Sequence, residues 1–438
     1  MPSKSSLPCL CLFLFSSLLQ AEVHSLTLQQ ALEIAARQNP EVALARLDEQ
    51  RATQGIQVAL DPFRPKVYGG SGLAYTYGYP NSIDGNAPSI IQLKTDMALF
   101  NRQKSYEVAS ARETARGSQF GAQAKAEDVA YQAADLFLTA ATLAHQGETL
   151  TQQLPSLEKV SEAINAAVTE GSELPLESKR AKVNLAVSQE RLNASQLDLD
   201  YYEMLLAVAL GYPAADRVKP VDSDLSATPT PPTEDDAADM ALHNNRQLRQ
   251  MQSAVLAKEL EVRSFRAARL PEVNLVAQYA LFAKYNYANY FQKFQRNNYQ
   301  VGASITIPVL VGSASKGLAL QNATDMQKIR IQMDQTRNRI ISDTRRSYEL
   351  WKKSENLRDL SRLQLDLARE ELTVLLAKQA EGQVPMSRVE QARLEEGNRW
   401  IALYEAETQV TRAKLAILRE TGTLLAVLRS VPSTNPVP

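Results

Sequence analysis

The chain is poor in the residues that build small, tightly turned or covalently stapled domains. Of its 438 residues only two are cysteine, Cys9 and Cys11, and both lie near the N-terminus. Beyond residue 11, disulfides, thiolate metal sites and cysteine nucleophiles are therefore excluded. Glycine is scarce: 17 residues, roughly half the usual frequency of about 7%. Few glycines means few tight turns, and with abundant Ala, Gln, Leu, Glu and Arg it favours a small number of very long helices. An excess of one charge is missing too, since 48 Lys and Arg stand against 49 Asp and Glu. That balance offers no electrostatic footprint for a nucleic acid, and 22% charged with 44% hydrophobic residues does not describe a disordered chain. Only three histidines are present, and His24, His145 and His243 show no zinc spacing. No phosphate-cradling glycine loop or nucleophile elbow appears. The carboxylates sit among Lys and Arg on helices and isolate no acid–base couple, while Trp351 and Trp400 read as packing residues. Neither an enzyme nor a cofactor or metal site is expected. No later window reaches 18 consecutive apolar residues, so an encounter with a membrane would use a β-barrel or a surface helix.

The first residues stand apart from the fold. Lys4 supplies a basic start, Leu7 to Leu19 an apolar stretch, and Ala21 or Ser25 a residue before a cleavage point, so residues 1–21 read as a secretory signal peptide, with cleavage as late as 25. An uncleaved anchor is disfavoured, because the apolar run is shorter than the roughly 20 residues a spanning helix needs. Ser6-Leu7-Pro8 ahead of Cys9 does not make a lipid-attachment box. The mature chain is expected outside the cytoplasm.

The remainder is written twice. An offset of 206 positions places Ala31-Leu32-Glu33-Ile34-Ala35 on Ala237-Ala238-Asp239-Met240-Ala241, Asn39 on Asn245, Val42 on Leu248, Pro65 on Pro271 and Val67 on Val273. Further on, Ala98-Leu99-Phe100 falls on Pro308-Val309-Leu310, and Glu170-Gly171-Ser172 on Glu381-Gly382-Gln383, as the offset drifts to 210 or 211. The order of features carries the duplication more than matched letters do. The first repeat covers residues 26–211 and the second 234–421, joined by a connector at 212–233 that five prolines keep extended. A flexible tail is expected over 422–438.

Each repeat reads as short helix, two strands, long helix and returning helix. The first has helix 27–60, strands 66–79 and 89–100, and a helical hairpin over 103–210; the second has helix 234–268, strands 272–287 and 298–310, and a hairpin over 315–420. In the strands one face is apolar: Val273, Leu275, Ala277, Tyr279 and Leu281 alternate with Glu272, Asn274 and Gln278. Likewise Tyr299, Val301, Ala303 and Ile305 alternate with Gln300, Ser304 and Thr306, and Ile91, Leu93, Thr95 and Met97 with Gln92, Lys94 and Asp96. A soluble sheet packed on a core shows the same alternation. Tyrosines gathered at strand ends favour a lipid-facing barrel wall around a wet lumen, lined by the polar residues just named.

The hairpins carry coiled-coil seams, with Leu143, Leu150, Leu157 and Ile164 at seven-residue spacing, and Leu185, Leu192, Leu199 and Leu206 on the return. A helix of roughly 65 residues reaches on the order of 100 Å at 1.5 Å per residue. Soluble filament proteins share the heptads but seldom interrupt them with amphipathic hairpins. Four strands cannot close a membrane barrel, since known single-chain barrels begin at about eight. Assembly is therefore expected: three copies would give twelve strands around a conduit, and two copies eight, whose interior side chains usually fill.

In these residues the chain resembles the TolC-like outer-membrane efflux proteins. The resemblance rests on Leu26-Thr27-Leu28-Gln29-Gln30-Ala31-Leu32 leading to Asn39-Pro40-Glu41, on Arg64-Pro65-Lys66-Val67 and Leu270-Pro271-Glu272-Val273 entering strands, on Ile307-Pro308-Val309-Leu310, and on Gly171 and Gly382 at the hairpin turns. It implies a mainly α homotrimer with a twelve-stranded outer-membrane barrel and a long periplasmic helical tunnel, working with a periplasmic adaptor and an inner-membrane transporter to export small molecules or proteins. It implies adaptor contact at the hairpin tips, here Glu170, Gly171, Ser172, Glu381, Gly382 and Gln383. A gate just past the second turn falls on Arg388 and Glu390, which replace the aspartates the family often places there. A periplasmic coiled-coil scaffold or adaptor that never enters a membrane is the alternative from another class.

Overall fold

The computed structural model describes residues 22–72, 89–221, 231–282, 297–309 and 312–426. The signal-peptide residues, the strand ends expected at 73–79 and 283–287, and the end of the tail at 427–438 lie outside the described residues.

The chain order is β1 Val23–Leu26, α1 Leu28–Gln38, α2 Pro40–Leu60, β2 Lys66–Gly72, β3 Ser89–Phe100, α3 Arg102–Thr169, α4 Pro175–Leu210 and β4 Arg217–Pro220, followed by α5 Glu234–Asn244, α6 Arg246–Ala267, β5 Glu272–Phe282, β6 Asn297–Thr306, α7 Ala314–Ala380 and α8 Met386–Glu420. The two halves thus repeat one plan, and the long helices α3 and α7 have 68 and 67 residues. α3 continues through Pro155, which has no N–H to give the carbonyl one turn earlier.

The short helices expected as single pieces at 27–60 and 234–268 are each broken. Thr27 starts α1 with a capping box: its hydroxyl accepts from the Gln30 N–H at 3.3 Å, and its own N–H donates to Gln30 Oε1 at 3.0 Å. Asn39 then leaves helical geometry ahead of Pro40, whose ring disfavours the helical conformation in the residue before it and suits the first position of α2. In the second half Asn245 makes the same break without a proline, and its side chain accepts from the Leu248 N–H at 2.9 Å to start α6.

The chain divides into two compact units, each assembled from three chain segments. One comprises residues 1–39, 130–228 and 351–413. In it α3 contributes the buried Ala130, Ala133, Ala134, Phe137 and Leu138, small residues that let helices approach closely around one aromatic ring. Further along, Leu150, Leu157 and Ile164 are buried, as the heptad spacing predicts. Hydrogen bonds tie its helices in the order α4–α3–α8–α7: Ser195 Oγ donates to the Leu143 carbonyl at 3.1 Å, Thr142 Oγ1 to Thr408 at 3.2 Å, and Arg399 on α8 to Gln364 Oε1 on α7 at 2.8 Å.

The same unit holds a feature the connector's prolines do not announce. β4 lies inside the stretch expected as a plain extended connector and pairs in parallel with β1, Val23 opposite Arg217 through Leu26 opposite Pro220. Pro220 fits there because β4 is an edge strand of a two-stranded sheet, and the next residue, Val221, supplies the ladder donor to the Leu26 carbonyl at 2.9 Å.

The second unit comprises residues 40–129, 229–350 and 414–438. It contains an antiparallel sheet in the order β2-β3-β5-β6, so the hairpin of each repeat lies side by side with the other. Beside it α3 packs on α6, where Ser110 Oγ donates to the Ala257 carbonyl at 3.1 Å, and α6 meets α7 through Lys258 and Asn322 at 3.0 Å. The start of the expected flexible tail is packed: Gly422 ends α8 with φ +65°, and Leu424 is fully buried.

Candidate functional site

The sheet register sorts the strand residues onto two faces. Cross-strand partners in an antiparallel sheet point the same way. Lys94 lies opposite Gln278, which lies opposite Gln300; Gln92 opposite Ala280; Asp96 opposite Val276; Asn274 opposite Ser304; and Glu272 opposite Thr306. All eight polar positions expected to line a lumen, Gln92, Lys94, Asp96, Asn274, Gln278, Gln300, Ser304 and Thr306, therefore share one face. Gln278 Nε2 donates to Gln300 Oε1 at 2.6 Å, locking one polar row across two strands.

The opposite face carries Val67, Leu93, Met97, Leu275, Tyr299, Val301 and Ile305. Its outer members are strongly exposed, with Tyr299 at 81% and Val301 at 76%. An apolar face this open calls for a cover other than water. Among the described residues no helix is long and apolar enough to cross a membrane. Strands β2 and β6 form the two edges and are different sequences, so one copy's β6 edge is a complement for another copy's β2 rather than for itself.

At the hairpin tips the two halves reproduce one turn. Gly171 has φ +78° and Gly382 φ +72°. The Gly171 N–H donates to the Val168 carbonyl and the Ser172 N–H to Ala167, as the Gly382 N–H does to Gln379 and the Gln383 N–H to Lys378. This is the Schellman arrangement, whose left-handed residue is cheapest as glycine. Glu170, Ser172, Glu381 and Gln383 are exposed around these turns. A second, unforeseen pair closes the other ends of the returning helices: Gly211 at φ +89° and Gly422 at φ +65° use the same bonds.

The two gate candidates separate. Arg388 is exposed, whereas Glu390 is 4% exposed. Glu390 accepts from Ser156 Oγ on α3 at 3.4 Å and from Arg393 on its own helix at 3.2 Å, and Arg393 also donates to Ser156 at 2.8 Å. Burial pushes the Glu390 carboxyl above the usual range, with Arg393 and the Ser156 hydrogen bond opposing. Glu390 also lines a small cavity with Glu177 and Arg180 of α4, so it bridges helices inside the unit instead of pairing with Arg388. Ser156 and Arg393 lie 237 positions apart, beyond the reach of any local pattern.

The second unit holds a polar cavity of about 440 Å³. Arg419 Nε donates to Asp128 Oδ1 at 2.9 Å, and Arg246 stands 3.8 Å from Glu127. Burial raises the Glu127 and Glu420 carboxyls against these cations. The mixture of charges balances within the cavity wall, and among the described residues no group of ligands suits a metal ion.

Sequence reasoning also missed a second apolar stripe on each outer helix of the first unit. On α4, Leu176, Val183, Val187, Leu197, Tyr201 and Val208 are exposed, and on α7 Leu357, Leu360, Leu363, Leu367 and Val374. Their spacing of three, four, seven or ten was readable beside the inner seam of Leu185, Leu192, Leu199 and Leu206, which is half-buried to buried.

Comparison with known proteins places this architecture. Residues 237–423 match the family model described as outer membrane efflux protein. The Vibrio cholerae outer membrane protein VceC superposes with a TM-score of 0.71 at 15% identity, covering 90% of this chain and 96% of that one. The Campylobacter jejuni CmeC outer membrane channel gives 0.72 at 12% identity over 91% and 86%, and the open state of the Neisseria gonorrhoeae MtrE outer membrane channel 0.71 at 14% over 91% and 89%. No curated protein matches the chain.

Proposed function

Because residues 237–423 match the outer membrane efflux protein family model and the fold is shared with outer membrane channels, we propose that the chain is the outer-membrane exit channel of a tripartite efflux or type I secretion system. Three copies form a passive conduit for small molecules or proteins, with the β-sheets in the outer membrane and the helices in the periplasm.

The two-faced sheet carries this reading. Its apolar face, with Val67, Tyr299 and Val301 more than half exposed, suits lipid, while the row Lys94, Gln278 and Gln300 suits water. Four strands with unlike edges close only by adding copies head to tail, and three copies make a twelve-stranded wall. The exposed stripes on α4 and α7 are likewise unlike surfaces at the outer positions of a four-helix layer, and joining one copy's α4 to the next copy's α7 buries both.

A passive conduit holds no energy source, so a periplasmic adaptor at the tips around Glu170, Gly171, Ser172, Glu381, Gly382 and Gln383 and an inner-membrane transporter complete the system. In this reading Arg388 is the exposed charge near the entrance, and Glu390 supports the helix that carries it. Detergent-purified protein is expected to run as a heat-sensitive trimer and to give single-channel currents in planar bilayers. Extraction from membranes by salt alone would reject the channel and favour a periplasmic scaffold, which would leave the apolar sheet face without a cover.

A further inference from the structure

The first described residue offers a function for signal-peptide removal beyond export. The Glu22 N–H donates to Asp216 Oδ1 at 3.1 Å, across 194 positions of sequence. Asp216 is 7% exposed and sits at the mouth of β4, while the Arg217 N–H returns a bond to the Glu22 carbonyl at 2.9 Å. The other Asp216 oxygen lies 3.5 Å from His24 Nε2, and the His24 ring stacks on Tyr212 at 4.2 Å between centroids. Arg217 does not neutralise this carboxylate: its guanidinium donates to the carbonyls of Ala214, Ala215 and Asp216. Among the described residues, the ionisable side chain within 4 Å of the Asp216 carboxylate is His24, charged only when protonated. Among the described residues no permanent cation stands within 4 Å of this nearly buried carboxylate, and burial without one is costly.

We propose that Asp216 is a binding site for the α-ammonium group created when the signal peptide is cleaved after Ala21. Hydrolysis of the Ala21–Glu22 amide by a leader peptidase consumes one water and yields a carboxylate on Ala21 and an amine on Glu22. The amine takes a proton from solvent at neutral pH and becomes the missing cation. The neutral N–H to carboxylate contact then turns into a charge-assisted bond at the same place. The new ion pair fastens β1 to β4, so the start of the first repeat locks onto the strand that leads to the second only after processing. Cleavage after Ser25 would remove Glu22 and cut β1 within its paired length, and is inconsistent with this lock.

The proposal rests on cleavage after Ala21, so the test reads the terminus and the lock separately. Mass spectrometry of the full mature chain in detergent identifies the first residue, and acetylation by a succinimide ester at pH 7 measures the reactivity of its amine. Expected is a terminus at Glu22 that reacts at least about tenfold more slowly in the folded protein than in urea, because each unit by which pairing raises the amine pKa lowers the free base tenfold. Asp216→Asn is expected to restore fast labelling while the trimer band persists. Inserting one glycine between Ala21 and Glu22 is expected to do the same with Asp216 intact, which covers the case in which Asp216→Asn fails to fold. A terminus other than Glu22 overturns the cleavage premise. A Glu22 amine equally reactive in folded and unfolded chains, or a terminal amine still protected on the inserted glycine of the insertion variant, overturns the lock.

Discussion

The carbonyl oxygen of Gln38 lies 2.7 Å from the point that a Cβ on Gly211 would occupy. The end of α1 thus rests directly on the end of α4. The related contact in the second half is looser, with the Asn244 carbonyl 3.3 Å from a Cβ on Gly422.

Gly211→Ala is therefore expected to destabilise more than Gly422→Ala. Both substitutions carry the left-handed penalty of about 1 to 2 kcal/mol, and Gly211→Ala adds an overpacking cost of about 1 to 3 kcal/mol. Denaturant unfolding of the two variants measures the difference, and equal losses would contradict the geometry.

Acidification is expected to tighten the helical hairpins. Burial raises the Glu390 carboxyl above its unfolded value, so between those two values the folded state binds more protons and stability falls as pH rises. Warming the trimer at pH 5 and at pH 7 should show a higher transition at pH 5. Glu390→Gln, neutral at both, should narrow the gap while keeping an acceptor for Ser156, and an unchanged gap would remove Glu390 from the account.

The sheet faces predict opposite responses to the same new charge. In the proposed barrel Leu93→Lys puts an ammonium on the lipid side, at a cost of about 2 to 4 kcal/mol near the midplane, and is expected to deplete heat-sensitive trimer from outer-membrane fractions. Gln92→Lys, one residue earlier, is expected to assemble normally and shift single-channel ion selectivity toward anions. If both variants assemble equally well, the assignment of faces is wrong.

Val183→Asp on α4 and Leu367→Asp on α7 place charges on the exposed stripes without touching the buried seam of their own chain. Each is expected to shift detergent-solubilised protein from trimer toward monomer in native electrophoresis. A trimer of undiminished stability in both would move the contact between copies elsewhere.

The long helices were legible because they depend on local chemistry: heptads, glycine at the turns, and a run of good helix formers. The strand faces were legible for the same reason, since alternation needs only the next residue. The breaks at Asn39 and Asn245 were less so, because asparagine ends a helix only when its side chain finds a partner. Asn39 Nδ2 donates to the Ala209 carbonyl at 2.7 Å, 170 positions away. Arg388 and Glu390 sat in one short stretch that read as a single gate. Packing divides them, because Val389 and Glu390 turn inward where Arg388 remains exposed. The sheet of β1 and β4 had no local signal strong enough to find it, each strand being four residues long.

That small sheet bears on the order in which the chain is finished. A chain is synthesised from its N-terminus, so β1 exists long before its partner near residue 217 does. The unit containing both also needs residues 351–413, and the other unit needs residues 414 onward. Neither can complete its core from the first repeat alone, however alike the two repeats are. Duplication here has produced halves that cannot mature one after the other: the early half must wait, unfinished and exposed to proteases and chaperones, until almost the whole polypeptide has been made.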